Sequence, residues 1–356
     1  MFKVRSLVTT VVLLIVILTL VACGGSSSSN SEGDTSGNAG DSGEKIKLKV
    51  ADSVPTSNFI STDGIVYFMD RVEELTDGRV EFDYYPAEQL GSAGSLLELT
   101  ATKTTDIGYT TYASEKLPLS DIGTLPGGFN SSVEGTKIFW QLMEDFLIEE
   151  EYLKNGVRPL WSVTLPPYQM VSRDKKIESI DDFKGMKLRV TGTMELTMDE
   201  LGATPVSLAA PETYTAIERG TLDGAIFPVT SYAPYQLEQI SKYSTSNANL
   251  GSFIVVYSIN EDVYQNLPAD VQEAFAEAAL DTMDHFSNFL DETNPELLDE
   301  FSENMEIYEL SDSVLDQLDE EFVDTWDRWA KGLDKRGLPG SKLVEQFREI
   351  EADISK

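Results

Sequence analysis

The chain has 356 residues, of which 41% are hydrophobic and 25% are charged, and its 61 acidic residues outnumber 27 Lys and Arg. The resulting net charge of −34 excludes nucleic acid as a partner, because phosphate binding needs basic patches. The single cysteine excludes an intrachain disulfide and a thiolate metal cage, so the fold must depend on its hydrophobic core, for which the chain is long enough.

Residues 1–22 are predicted to be a lipoprotein signal peptide. Lys3 and Arg5 form a basic start, and an apolar run follows that is too short to span a membrane comfortably. The run ends in L-V-A-C, which resembles a bacterial lipobox, so cleavage before Cys23 would leave its thiol to carry a lipid. The alternative is an uncleaved anchor with an incidental cysteine. Cleavage would remove two positive charges and change the net charge from −34 to about −36.

Residues 23–45 are predicted to be the lipidated cysteine and a flexible Gly/Ser tether without large apolar side chains. Residues 46–165 then alternate between strand and helix patterns, which indicates an α/β lobe. The predicted strands lie over residues 46–51, 80–84, 106–112 and 158–163, and the predicted helices over 65–75, 90–101 and 137–147.

A second lobe is predicted from strand patterns at 168–172, 186–190 and 225–227, with extended chain at 205–206 and helices between them. Ser179 and Asp182 have the spacing of a capping box. Arg189 lies near the end of its strand, where its five-donor fork can clamp a carboxylate. The alternative is a surface arginine paired with one of the many acids. Because ligands bind beyond the carboxyl ends of strands in open α/β sheets, Arg189 and Phe227 are both candidates.

The strand pattern at 253–259 is expected to return to the first lobe. A helix pattern then runs from about 270 to 305, and Pro295 should kink or split it. A short strand at 307–310 and helices over 314–333 and 343–354 are predicted to close the chain.

Several spaced motifs resemble the DctP-type solute-binding proteins of TRAP transporters, over about residues 46–350. They are D-D-F-K-G-M-K-L-R-V at 181–190, G-A-T-P-V-x5-E-x-Y-x-A-x3-G-x2-D-G at 202–224, and Y-P-A-E-Q-L-G at 85–91. The resemblance implies an α/β, two-lobe, periplasmic-binding-protein-like fold with a ligand cleft between the lobes and a long C-terminal helix crossing both. It implies a first lobe of residues 46–165 and 252–292, and a second lobe of 166–251 and 293–356.

The resemblance further implies a receptor that captures an organic carboxylate and delivers it to the membrane subunits of a TRAP permease for ion-gradient-driven uptake. With the lipobox, it implies an exported, lipid-anchored protein on the outer face of the cytoplasmic membrane, with no cofactor, metal or catalytic residue. The alternatives are a secreted lipoprotein enzyme that uses carboxylates alone, and a sensory lipoprotein on the same fold. The sole histidine, His285, has no candidate nucleophile nearby, and none of the common catalytic or phosphate-binding motifs occurs.

The site residues that the resemblance implies lie at strand ends and at the crossing between the lobes, and each could instead serve packing: Ser53, Thr111, Tyr112, Tyr168, Arg189 and Phe227. Several family members carry a second arginine where this chain has Pro167. One fixed cation among aromatic rings favours a monocarboxylate, such as a keto or hydroxy acid, over a C4-dicarboxylate. That prediction assumes that Lys116, Arg158 and Arg173 do not reach the cleft.

Overall fold

The computed structural model of the chain describes residues 44–208 and 210–354, which belong to one compact unit. The predicted signal peptide, Cys23 and nearly all of the tether lie outside the described residues. Within the described residues, no helix is long and apolar enough to cross a membrane.

Two β-sheets organise this unit, and we call each sheet with the helices packed on it a lobe. The first sheet has the strand order β2-β1-β3-β10-β4, in which β1 is parallel to β2 and β3, and β10 is antiparallel to β3 and β4. Its strands are β1 (Ile46–Ala51), β2 (Val80–Tyr85), β3 (Ile107–Tyr109), β4 (Val157–Thr164) and β10 (Ile254–Asn260). The chain therefore returns to the first lobe through β10, as the sequence predicted.

The second sheet has the order β11-β9-β5-β8-β6-β7, with β6 parallel to both β7 and β8. Its strands are β5 (Gln169–Ser172), β6 (Lys187–Val190), β7 (Thr204–Ser207), β8 (Gly224–Phe227), β9 (Tyr243–Thr245) and β11 (Glu306–Tyr308). The capping box of Ser179 and Asp182 is present just before β6. Every residue of β8 is buried, as expected for an inner strand covered on both faces.

Nine α-helices lie within the described residues, and two of them are continuous with π-helical segments. These segments are Ile60–Val66 before α1 and Met143–Tyr152 after α3. The helices are α1 (Tyr67–Leu75), α2 (Leu96–Ala101), α3 (Ser132–Leu142), α4 (Met194–Glu200), α5 (Thr213–Glu218), α6 (Glu261–Gln265), α7 (Ala269–Phe301), α8 (Asp312–Lys335) and α9 (Gly340–Ile354). Their apolar positions recur at helical spacing, as Phe68, Met69 and Val72 do on α1, and face the core.

Two predicted elements are shorter in the structure, for local reasons. The strand predicted over 106–112 ends at Tyr109, because the Thr111 hydroxyl accepts the Val256 amide (2.9 Å) in place of a backbone partner. The helix predicted over 90–101 begins only at Leu96, because Ser92 is extended (φ −66°, ψ 155°) and Ala93–Ser95 then form a 3₁₀ turn.

The long helix α7 packs on both lobes. Its N-terminal half places Phe275 against Phe68 of α1, with ring centroids 5.6 Å apart. Its C-terminal end places Phe301 against Tyr232 of the second lobe, at 5.7 Å. The helix continues through Pro295, which confirms the predicted crossing, whereas a bend at Pro295 stays a prediction.

The two closing helices differ from the predicted assignment of residues 293–356 to the second lobe. The start of α8 packs among second-lobe residues, but its later residues Trp326 and Trp329 join the apolar cluster under α3 of the first lobe. Trp326 packs on Phe347 of α9 (4.9 Å) and donates Nε1–H to the Pro126 carbonyl (2.8 Å). Thus α8 crosses between the lobes and α9 belongs to the first, because their apolar faces cover α3.

Candidate ligand-binding site

Arg189 lies on β6, between β7 and β8, and its side chain is only 6% exposed. Arg189 pairs with Ala225 of β8, so Phe227, two residues further along that strand, lies on the same face. The guanidinium carbon is 4.2 Å from the centroid of the Phe227 ring. Nε donates to the Leu208 carbonyl (3.0 Å), which fixes the direction of the fork.

The Arg189 charge has no carboxylate within ion-pair distance in residues 44–208 and 210–354, although the chain is rich in acids. Burial lowers the pKa of Arg189, yet a guanidinium stays protonated at neutral pH. A buried cation without a counter-ion is unfavourable. The geometry therefore suits an incoming anion.

Three tyrosines lie near enough to interact with the Arg189 charge. They are Tyr112 of the first lobe, Tyr168 in the crossing between β4 and β5, and Tyr235 of the second lobe. Tyr168 is buried and Tyr235 partly buried, whereas Tyr112 is 46% exposed. Desolvation raises the pKa of all three phenols, that of Tyr112 to about 12, while the Arg189 charge opposes each shift. The phenols are therefore neutral hydrogen-bonding groups at pH 7. The Tyr235 ring packs edge-on against Phe227, with centroids 5.6 Å apart.

The structure thus groups four of the six predicted ligand-binding residues, Arg189, Phe227, Tyr112 and Tyr168. Thr111 lies next to Tyr112, but its hydroxyl also holds the Val256 amide. Ser53 follows β1 and is partly buried. Its neighbour Asp52, rather than Ser53, forms the side-chain hydrogen bonds at that strand end.

Asp52 is a residue that sequence reasoning missed. Its carboxylate is 1% exposed, and Oδ2 accepts the hydroxyls of Tyr84 (2.8 Å) and Tyr257 (2.7 Å), while Oδ1 accepts the Val54 amide (2.9 Å). Burial raises the pKa of Asp52, against the effect of these hydrogen bonds. An acid directly after a buried strand was the available signal, but in so acidic a chain it had little weight.

A cavity of about 220 Å³ lies between the lobes beside this cluster. Thr111, Tyr112 and Asp121 line it from the first lobe, and Thr191 and Ser207 from the second. Arg189 itself does not line this cavity. Tyr112 lines the cavity and also interacts with the Arg189 charge, so it connects the two regions. Burial raises the pKa of Asp121 to about 6.

The arginines that could replace the one absent at Pro167 have other partners. Arg158 forms a two-point pair with Glu261, at 2.7 and 2.9 Å. Arg173 donates to the carbonyls of Ile217 (3.1 Å) and Glu218 (3.3 Å) at the end of α5. Lys116 is exposed and borders a different surface pocket. Arg189 therefore stays the fixed cation of this site.

A family model for bacterial extracellular solute-binding proteins of family 7, DctP, matches residues 51–332. The C4-dicarboxylate-binding periplasmic protein DctP of Rhodobacter capsulatus is 25% identical over 243 residues, which is 66% of this chain and 71% of that protein. For other curated relatives, such as a solute-binding protein of Roseobacter denitrificans, the chain spans 66% of the relative's length.

Solved structures share the fold. A TRAP solute-binding protein of Rhodoferax ferrireducens, in complex with copurified benzoate, has a TM-score of 0.79 at 22% identity, covering 87% of this chain and 99% of that one. A marine metagenome TRAP solute-binding protein specific for aromatic acids, in complex with 3-hydroxybenzoate, has a TM-score of 0.80 at 21% identity, covering 88% and 100%.

Proposed function

Because this chain belongs to the DctP family of bacterial extracellular solute-binding proteins, which act in TRAP transporters, we propose that it captures a small organic monocarboxylate in the cleft between its lobes. Members of the family are exported, extracytoplasmic receptors that bind organic acids and work with TRAP membrane components. In this proposal the bound acid is handed to the permease subunits, and no step of chemistry on the ligand is needed.

The observation that carries the proposal is the buried Arg189, which has no carboxylate partner in the described ranges and lies over the Phe227 ring. A ligand carboxylate would accept two parallel charge-assisted hydrogen bonds from such a fork. It would also supply the counter-charge that the buried guanidinium needs.

The aromatic side chains around Arg189 favour a ligand with one carboxylate over a ligand with two. A second carboxylate in this cleft would be desolvated without a cation, which costs several kcal/mol. An apolar or aromatic body would instead pack on Phe227, Tyr168 and Tyr235, and burying about 100 Å² of it would contribute roughly 2.5 kcal/mol. The aromatic acids bound by the related proteins support this ligand class, while the dicarboxylate-binding relative is the counter-example.

Calorimetric titration of the purified protein tests the ligand class. The panel is benzoate, 3-hydroxybenzoate, mandelate, a branched keto acid, succinate and malate. We expect at least one monocarboxylate to bind more tightly than both dicarboxylates, and a saturating ligand at one hundred times its Kd to stabilise the fold by about 2.7 kcal/mol. A dicarboxylate that binds tenfold more tightly than every monocarboxylate would contradict the proposal.

We also propose that Cys23, which lies outside the described residues, carries the lipid anchor. The lipobox and the tether behind it support this. Cys23→Ala should abolish lipidation and move the protein from the detergent phase to the aqueous phase. Equal partitioning of variant and wild type would refute the anchor without affecting the ligand proposal.

A further inference from the structure

We propose that Asp121 binds a positively charged group of the ligand in the cavity between the lobes, so that the ligand is a carboxylate that also carries an amine. The inference rests on the proposed function, because Arg189 must hold the carboxylate at the other end. It narrows the ligand class from organic monocarboxylates to zwitterionic acids whose ammonium group lies apart from the carboxylate.

The first step is the charge of the cavity wall. Asp121 is the one charged side chain among the described residues that line the cavity of about 220 Å³. The other lining residues carry hydroxyl groups, are apolar or are glycine. An anionic group in this cavity would be repelled by Asp121, whereas an ammonium group would be attracted to it. The hydroxyl oxygens can accept those ammonium N–H groups that Asp121 does not.

The second step is that Asp121 has no counter-ion. Asp121 is partly buried in the 3₁₀ turn Ser120–Thr124, and its Oδ1 accepts the hydroxyl of Ser114 (3.0 Å), which also lines the cavity. No Lys or Arg lies within ion-pair distance of Asp121 in residues 44–208 and 210–354, and Arg336 acts on it only from farther away. Loss of solvation raises the pKa of Asp121 to about 6, so the carboxyl is still mainly ionised at pH 7. A cation from outside the protein would therefore stabilise this charge.

The third step is the position of Arg189 relative to the cavity. Two second-lobe residues that line the cavity are neighbours of Arg189. Thr191 follows Arg189 by two residues, so their Cα atoms are at most about 7 Å apart. Ser207 precedes Leu208, whose carbonyl accepts Nε–H of Arg189 (3.0 Å). Arg189 therefore adjoins the second-lobe wall of the cavity, while Asp121 belongs to the first-lobe wall. A ligand with a carboxylate at one end and an ammonium group at the other would join the two lobes.

The test uses straight-chain acids that differ only at the end remote from the carboxylate. At each chain length from four to seven carbon atoms, the series contains the unsubstituted acid, the ω-hydroxy acid and the ω-amino acid. Calorimetry on wild type measures each affinity. We expect the amino acid of at least one length to bind about tenfold more tightly than both other acids of that length, as a charge-assisted hydrogen bond to a desolvated carboxylate allows.

Asp121→Asn should reduce the preference for the amine to less than about threefold at that length, because the amide keeps an oxygen for the Ser114 hydroxyl but carries no charge. The unsubstituted acid should bind at least as tightly as to wild type. Glu115→Gln is the matched control, because Glu115 is an exposed acid of the same loop region that borders a different surface pocket and does not line the cavity. It should keep the preference. Loss of the preference in both variants would show an effect of net charge and overturn the inference.

The remaining outcomes separate the inference from the proposed function. Asp121→Asn should melt at the wild-type temperature or above, because it removes a carboxylate without a counter-ion. If it does not fold, the wild-type preference for amine over hydroxyl and its retention in Glu115→Gln decide the inference. If wild type binds the unsubstituted acids but prefers no amino acid, or if Asp121→Asn keeps the preference, the inference fails alone. If no acid of this series or of the earlier panel binds wild type, the proposed function and the inference fail together.

Discussion

At the scale of single residues, the proposed function depends on Arg189 as the group that binds the ligand carboxylate. Arg189→Ala should remove roughly 2–5 kcal/mol of binding free energy, because the ligand charge would be left unpaired in a closed cleft. The fold should survive, since the Arg189 side chain makes one hydrogen bond, to the Leu208 carbonyl, within residues 44–208 and 210–354. Calorimetry with the best acid of the panel measures the loss.

Arg173→Ala is the control for this variant, because Arg173 is a second-lobe arginine that donates to the end of α5. Its affinity should match that of wild type. A loss of less than about threefold in Arg189→Ala would show that Arg189 does not bind the ligand.

The buried carboxyl of Glu151 should make the free energy of unfolding depend on pH. Burial raises the pKa of Glu151 to about 7 from the usual 4.5, although Ser120 and the Leu119 amide donate to it. The folded protein therefore binds more protons than the unfolded chain between about pH 4.5 and 7. Stability should fall as the pH rises through this window, by roughly 3 kcal/mol.

Urea unfolding of wild type and Glu151→Gln at pH 5, 6, 7 and 8 measures this effect, because the variant removes one titrating group and leaves the other acids unchanged. We expect the difference in unfolding free energy between the two proteins to change with pH and to level off above pH 7. Parallel pH profiles would contradict the prediction.

Sequence reasoning predicted that Arg189 and Phe227 lie at the same edge of one sheet, because both lie near the ends of predicted strands, and the structure places the two side chains together. It missed Tyr235, which lies in a short 3₁₀ turn without a periodic pattern and reaches Phe227 only through the tertiary fold.

At the scale of elements, Asp291 anchors α7 to the first lobe. Its carboxylate accepts the first amides of α3, Ser132 N–H (2.7 Å) and Val133 N–H (2.9 Å), which have no partner within their own helix. Asp291 lies four residues before Pro295, whose missing N–H leaves the Asp291 carbonyl without its helical donor. The side chain thus anchors α7 to the first lobe next to the point where the helix is weakest.

Asp291→Asn should therefore lower the free energy of unfolding by about 1–2 kcal/mol. The substitution replaces one carboxylate oxygen by an amide NH₂ group, which cannot accept a hydrogen bond from the backbone N–H of α3. It also removes the negative charge that is favourable at the N-terminus of α3. Chemical denaturation measures the change. Glu292→Gln, at the next and exposed position of α7, should be neutral. Equal effects of the two substitutions would show that net charge, rather than the cap, is responsible.

The sequence predicted the helices and strands that have a periodic apolar pattern, but it did not predict which elements they pack against. The apolar spacing of α8 and α9 predicts two amphipathic helices, but the pattern does not say which sheet they cover. Strand β9 was missed because Y-S-T has no alternating pattern, and it exists only because β5 and β11 flank it. α6 was missed because it is a five-residue helix capped by the Asn260 side chain.

At the scale of the whole molecule, the lobes are linked by several chain crossings and touch directly beside the cavity. The β4–β5 and β9–β10 segments connect the sheets, and α7 and α8 pack on both. Gly251 lies at this junction with φ +139°, and a Cβ there would come 3.1 Å from the Thr124 carbonyl oxygen and 2.5 Å from Met194. The close approach of the two lobes therefore requires glycine at this position.

The contact between the lobes predicts how tightly the cleft holds its ligand. Thr124 of the first lobe and Thr193 of the second form a buried hydroxyl pair at 2.7 Å. Thr124 also donates to the Asp121 carbonyl (2.8 Å), so Thr193 is the donor within the pair. A hydrogen bond that exists only with the lobes together stabilises the closed state by about 1 kcal/mol.

Thr193→Val should then raise the ligand Kd about fivefold, mainly through faster dissociation, because it shifts the equilibrium toward separated lobes. Stopped-flow displacement of the bound acid measures the dissociation rate. Thr197→Val is the control, since Thr197 lies on α4, is fully buried, and has a hydroxyl without a hydrogen-bond partner among the described residues. If both valine variants release the ligand at the wild-type rate, the Thr124–Thr193 contact does not hold the lobes closed.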